Sequence, residues 1–168
     1  MQAVVFPDIA KLWAAGDFTA FRRVVQQTEV LLAALCVVGL IIVQVAAEPM
    51  VRLFVGEAFA PAALLLEIQI VAVVFLLCGS TSRAALLCMG KEKTILALSI
   101  AATIAFFIIA SALLPRIGAA GANIAHVVEG LIVVSGLWLA FRMTLARARS
   151  GKLAPRTSAP QPDAGEFE

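Results

Sequence analysis

A chain of 168 residues that is 62% hydrophobic and 14% charged, with a mean hydropathy of +1.00, carries far more apolar surface than a soluble domain of this length needs for its core. Its formal charge of +2 comes from basic residues dispersed along the chain rather than clustered with aromatics, which gives no support to nucleic-acid binding. What remains is a membrane protein. Cys36, Cys78 and Cys88 sit in apolar stretches with no CxxC spacing and no histidine at ligand distance, so they read as small buried hydrophobes, with no metal site or disulfide indicated and no cofactor implied.

The first 27 residues mix Asp8, Lys11, Asp17, Arg22 and Arg23 with aromatics, which is not the short apolar core behind a basic start that makes a cleavable signal peptide. Met1 to Phe6 read as the stump of an earlier helix, and Phe6 to Trp13 as an interfacial amphipathic turn. Asp17, after Gly16, is placed to cap a helix that runs through Arg22 and Arg23 into the membrane.

Four stretches follow, at about 28–47, 62–82, 94–114 and 121–141, each long and apolar enough to cross a bilayer whose core takes about 20 residues of helix. The first is expected to end at Glu48-Pro49, because proline cannot continue a helix. A polar loop with Arg52, Gly56 and Glu57 leads to Pro61, which suits a first helical turn. The second span carries Glu67, Gln69 and Arg83 and ends near Gly90, where Lys91-Glu92-Lys93 makes a charged turn. The third closes at Pro115-Arg116-Ile117-Gly118. The fourth starts from the small-residue run Gly118 to Ala122, carries Asn123, His126 and Glu129, and ends at Phe141-Arg142.

An even number of crossings places the chain start, the loop after the second span and the chain end on one side. That side holds Lys11, Arg22, Arg23, Lys91, Lys93, Arg142, Arg147, Arg149, Lys152 and Arg156, against Arg52 and Arg116 on the other, so both termini are expected in the cytoplasm. The expected organisation is an interfacial segment at 1–27, a four-helix transmembrane domain at 28–145 and a Pro-, Ser- and Ala-rich disordered tail at 146–168.

Several motifs resemble one family in order and separation. They are Phe6-Pro7-Asp8-Ile9-Ala10, Gly16-Asp17, Phe21-Arg22-Arg23, Ala47-Glu48-Pro49 and Leu53 to Phe59, then Leu87-Cys88-Met89-Gly90-Lys91 and Leu114 to Ala122. Together, over about residues 3–145, they resemble the second half of bacterial polysaccharide (O-antigen type) flippases of the MATE-like exporter superfamily. The resemblance implies an all-α, polytopic, multi-pass protein of the bacterial inner membrane, equivalent to part of the C-terminal lobe of a transporter with about 12 to 14 helices. Such a transporter moves lipid-linked oligosaccharides by alternating access. It also implies partners: membrane lipids, a lipid-linked saccharide, and a missing or separately encoded N-terminal lobe. The chain is then a fragment or a truncated reading frame. Two rivals stand beside this reading, a small ion-coupled exporter that works as a homodimer and a non-transporting membrane subunit.

Ionisable groups inside a span are costly and face a bundle interior, a partner or a wet cavity. Asn123, His126 and Glu129 lie three residues apart on one face of the fourth helix, where they read either as a proton relay or substrate contact or as a hydrogen-bond cluster joining helices. Arg83 reads either as a snorkelling side chain or as a fork for a lipid pyrophosphate. Glu67 is expected near the interface. Gln44, Gln69, Ser99, Thr103 and Ser111 are expected to bond between helices, and Gly79, Gly121, Gly130 and Gly136 to allow close backbone approach. Trp13 and Trp138 suit the headgroup belt. With one histidine, no P-loop and no nucleophile–base pair, enzymatic chemistry is not expected.

Overall fold

The computed structural model describes residues 9–54, 56–59 and 62–150. Every element among them is helical. A short helix α1 covers residues 9–14, followed by α2 (Phe18–Phe54), a 3-10 turn (Glu57–Phe59), α3 (Ala62–Cys78), α4 (Ser80–Cys88), α5 (Glu92–Ile117) and α6 (Ala119–Arg149). The stump expected before residue 7, Pro61 and the tail beyond residue 150 lie outside the described residues.

Four of these units are long and apolar enough to cross a membrane: α2, α3 with α4, α5, and α6, of 37, 27, 26 and 31 residues. At about 1.5 Å per residue each exceeds the roughly 30 Å hydrocarbon core, so the helices tilt or carry their ends into the headgroups. The apolar runs therefore located the crossings but understated the helices. Asp17 caps α2 as expected, its Oδ1 accepting the Thr19 and Ala20 amides at 3.2 and 2.9 Å. The far end differs from expectation, because α2 continues through Pro49 to Phe54. The last turn is braced by Arg52, whose guanidinium donates to Glu48 at 2.6 Å and to Glu57 at 3.4 Å, and a proline this near a helix end removes only one backbone bond. Pro115 likewise sits within the last turn of α5, and Gly118, with φ of +63°, makes the actual turn. At the chain end α6 runs to Arg149, so residues 146–149 are helix and not tail.

The helices pack as a row. α6 lies between α5 and α3, and α2 packs on the other side of α3. Close approach along this row is set by missing side chains. A Cβ on Gly121 would lie 2.8 Å from the backbone carbon of Leu113, one on Gly130 would lie 2.9 Å from Phe75 Cβ, and one on Gly136 would lie 2.5 Å from Leu98 Cδ1. This is the small-residue contact by which membrane helices associate without a hydrophobic drive. The outward faces are strongly apolar, with Val45 75% and Leu53 79% exposed, as lipid contact requires.

The large buried side chains gather at one end. Ile9 and Trp13 from α1, Phe21 and Val25 from α2, Leu86 and Met89 around the end of α4, Ile95 from α5, and Leu137, Phe141 and Leu145 from α6 form one cluster. α1 with the start of α2, the turn after the second crossing and the end of α6 thus meet at the same end of the row, as an even number of antiparallel crossings demands. Trp13 corrects the sequence expectation: it is 5% exposed, with its ring centroid 5.3 Å from those of both Phe18 and Phe21 in tilted contacts, so it belongs to this core and not to a headgroup belt. Its neighbours explain the change, since Gly16 (φ +73°) folds α1 back onto the start of α2. Trp138 stays exposed, with the Arg142 guanidinium 4.0 Å above its ring.

Candidate functional site: a polar seam on α6

Asn123, His126 and Glu129 follow one another at intervals of three residues along α6, a helix with a buried side toward its neighbours and an exposed side. Asn123 Nδ2 donates to the Leu65 carbonyl at 2.8 Å, and His126 Nδ1 lies 2.9 Å from Gln69 Nε2. The two therefore form successive rungs between α6 and α3. His126 also meets the edge of Phe106 on α5, with ring centroids 6.2 Å apart, and so stands where three helices converge. Glu129 is one further step along, half-buried, and makes no hydrogen bond or ion pair among the described residues. Just beyond it, Gly130 brings α3 against α6 at Ala72 and Phe75, which closes the seam with apolar contact.

Arg83 is not part of this group. It lies on α4 beyond the interruption of the second crossing at Gly79, half-buried and without an ion pair among the described residues, about five residues or roughly 8 Å from the helix end at Cys88. At that distance its long side chain reaches the end of the row. Gln44 joins the seam's outer flank by donating from Nε2 to the Glu67 carbonyl at 3.3 Å, which ties α2 to α3. Ser111, expected to bond between helices, instead donates to its own helix at the Ile108 carbonyl, 2.9 Å away.

One polar pair escaped sequence reasoning. Glu29 of α2 accepts a hydrogen bond from the Ser82 hydroxyl of α4, both at least half-buried. The signal was present, because Glu29 is the single acidic residue between Asp17 and Glu48. Its partner was not readable, since fifty-three positions separate the two. Among the described residues no group of three or more His, Cys, Asp or Glu could hold a metal ion, and the three cysteines are free.

Helices of membrane-crossing length in a row, joined by glycine contacts and a polar seam, define a multi-pass α-helical membrane protein. The MatE family model matches residues 7–113, and the chain belongs to that family, whose members are membrane transporters of the MOP superfamily. No curated protein and no solved structure matches the chain. Arg83 falls within the matched stretch, whereas Asn123, His126 and Glu129 follow it.

Proposed function

We propose that this chain forms four helices of the C-terminal lobe of a flippase that passes lipid-linked oligosaccharides across the bacterial inner membrane, with both termini in the cytoplasm. The observation that carries the reading is Glu129. It is a half-buried carboxyl within a membrane span, with no hydrogen bond or ion pair among the described residues, while its neighbours Asn123 and His126 are bonded to α3. A desolvated acid in lipid is expensive unless it faces a wet path or another helix, and a saccharide's hydroxyls are suited to an acceptor at such a place.

In this mechanism Asn123 and His126 hold the wall, since their bonds to Leu65 and Gln69 fix α6 against α3. Glu129 faces the passing polar groups, and Arg83, nearer the basic end, meets the lipid pyrophosphate with a planar fork that can hold two oxygens at once. Rocking of this row against a second lobe would then expose the seam to each side in turn. The basic residues at the end shared by α2, α4 and α6 keep that end cytoplasmic.

The test is Glu129→Gln in the assembled transporter. Lipid-linked sugar export is expected to be abolished at an unchanged membrane level; undiminished export overturns the role. Arg83→Ala is expected to weaken capture of the lipid-linked substrate, with Arg83→Lys restoring only part of it.

A further inference from the structure

At the basic end a groove of about 230 Å³ opens between α2 and α6. One wall is the stripe Arg22, Gln26 and Glu29, spaced i, i+4 and i+7 on α2. The other is Trp138, Arg142 and Arg149 on α6, spaced i, i+4 and i+11. The contact between Phe21 and Phe141, 6.2 Å between centroids, fixes the register of the two stripes. It sets Arg22 on α2 and Arg142 on α6 within about 3 Å of each other along the axis, one residue to either side of the contact.

Because the helices run antiparallel, Arg149 lies outward of Arg142 by about 10 Å along the axis, at the mouth, and Glu29 lies deeper by about 10 Å from Arg22. The carboxylate therefore does not neutralise the cations at the mouth, and its bond from Ser82 turns it toward α4. Arg142 is held over the Trp138 ring at 4.0 Å, which fixes a guanidinium beside an exposed aromatic. None of the three arginines has an ion pair among the described residues.

We infer that this groove is a binding site for a phosphate-bearing acidic lipid of the surrounding leaflet. The cations at the mouth would take the phosphate oxygens, and the exposed Trp138 ring, one turn deeper than Arg142, would lie against the acyl chains. Two features select a lipid over a soluble anion. The groove is at the end of membrane-crossing helices, at headgroup depth, and on α6 its charged mouth is followed one turn deeper by the exposed Trp138 ring. An anion alone would use only half of it. Acidic lipids draw nearby basic residues in general, but here three arginines from two helices converge on one concave place beside an aromatic ring. The site stands on the membrane-spanning architecture and not on the transport reading, which it neither needs nor tests.

The experiment is native mass spectrometry of the full chain in detergent, with phosphatidic acid, phosphatidylglycerol or phosphatidylcholine added, and inorganic pyrophosphate as a separate arm. Phosphatidic acid and phosphatidylglycerol adducts are expected to survive collisional activation and phosphatidylcholine adducts to be lost. In Arg22→Gln/Arg142→Gln/Arg149→Gln the acidic-lipid affinity is expected to fall at least about tenfold, each cation near a surface contributing about fivefold. The charge-matched control Lys91→Gln/Lys93→Gln/Arg147→Gln, at the same end but outside the groove, is expected to keep it. Circular dichroism identifies a variant that has lost its helices, in which case Arg142→Gln alone is read instead. Equal loss in the control, no loss in the groove variant, or pyrophosphate binding as tightly as lipid would each overturn the site.

Discussion

The two ends of the helix row are built from different materials. At the basic end Trp13, Phe21, Leu86, Leu137 and Phe141 fill one core in which α1, α2, α4, α5 and α6 all take part. In the other half the buried residues are small, Ala63, Ala72, Gly121, Ala125 and Gly130, and the helices are tied by Asn123–Leu65, Gln69–His126 and Gln44–Glu67. Large interlocked side chains resist sliding because every shift opens a void. Small residues and a few polar bonds allow it, since in a membrane such bonds contribute little each. The basic end is therefore the rigid anchor of the row and the seam half is its adaptable part.

Truncating the anchor should cost most. Phe21→Ala removes a fully buried ring that contacts both Trp13 and Phe141, and unfolding of the chain in mixed micelles should show a loss of about 3–5 kcal/mol. A loss below about 1 kcal/mol would erase the distinction between the two ends. In the seam half, Gly121→Val should cost about 1–3 kcal/mol, because the new side chain meets the Leu113 backbone, which cannot rotate away. Gly136→Ala should cost less, since it meets only the mobile end of Leu98.

Asp17→Ala, which removes the cap on α2, should lower stability by about 1 kcal/mol in the same assay. The smallest effect sharpens the comparison furthest. A double-mutant cycle on Gln69→Leu and His126→Leu should return a coupling of only about 0.6 kcal/mol, and a value several times larger would make the seam as rigid as the anchor.

The crossings were legible because lipid demands long apolar runs, and such runs are visible in one dimension. The glycines were legible for a related reason: at Gly121, Gly130 and Gly136 only a missing side chain lets another helix come so near. Helix ends were not legible, because apolar length measures the hydrocarbon core whereas the helix continues into water, as α6 does to Arg149. Proline misled at Pro49, where position within the last turns decides its cost. Trp13 was misplaced because its burial depends on the fold-back at Gly16, a tertiary event. Of the candidate site residues, spacing alone put Asn123, His126 and Glu129 on one side of one helix. That the first two are held by Leu65 and Gln69 required the neighbouring helix. Glu29 and Ser82 show the same limit.

The most direct test of four antiparallel crossings is sidedness. With Cys36, Cys78 and Cys88 replaced by alanine, Glu57→Cys and Lys93→Cys probe the turns at opposite ends of the row, and Ser150→Cys probes the end of α6. A membrane-impermeant thiol reagent applied to intact spheroplasts should label position 57 at once, and positions 93 and 150 only after the membrane is opened. Labelling of 57 and 93 from the same side, or of 150 from the side opposite to 93, would contradict the architecture from which every other statement here is built.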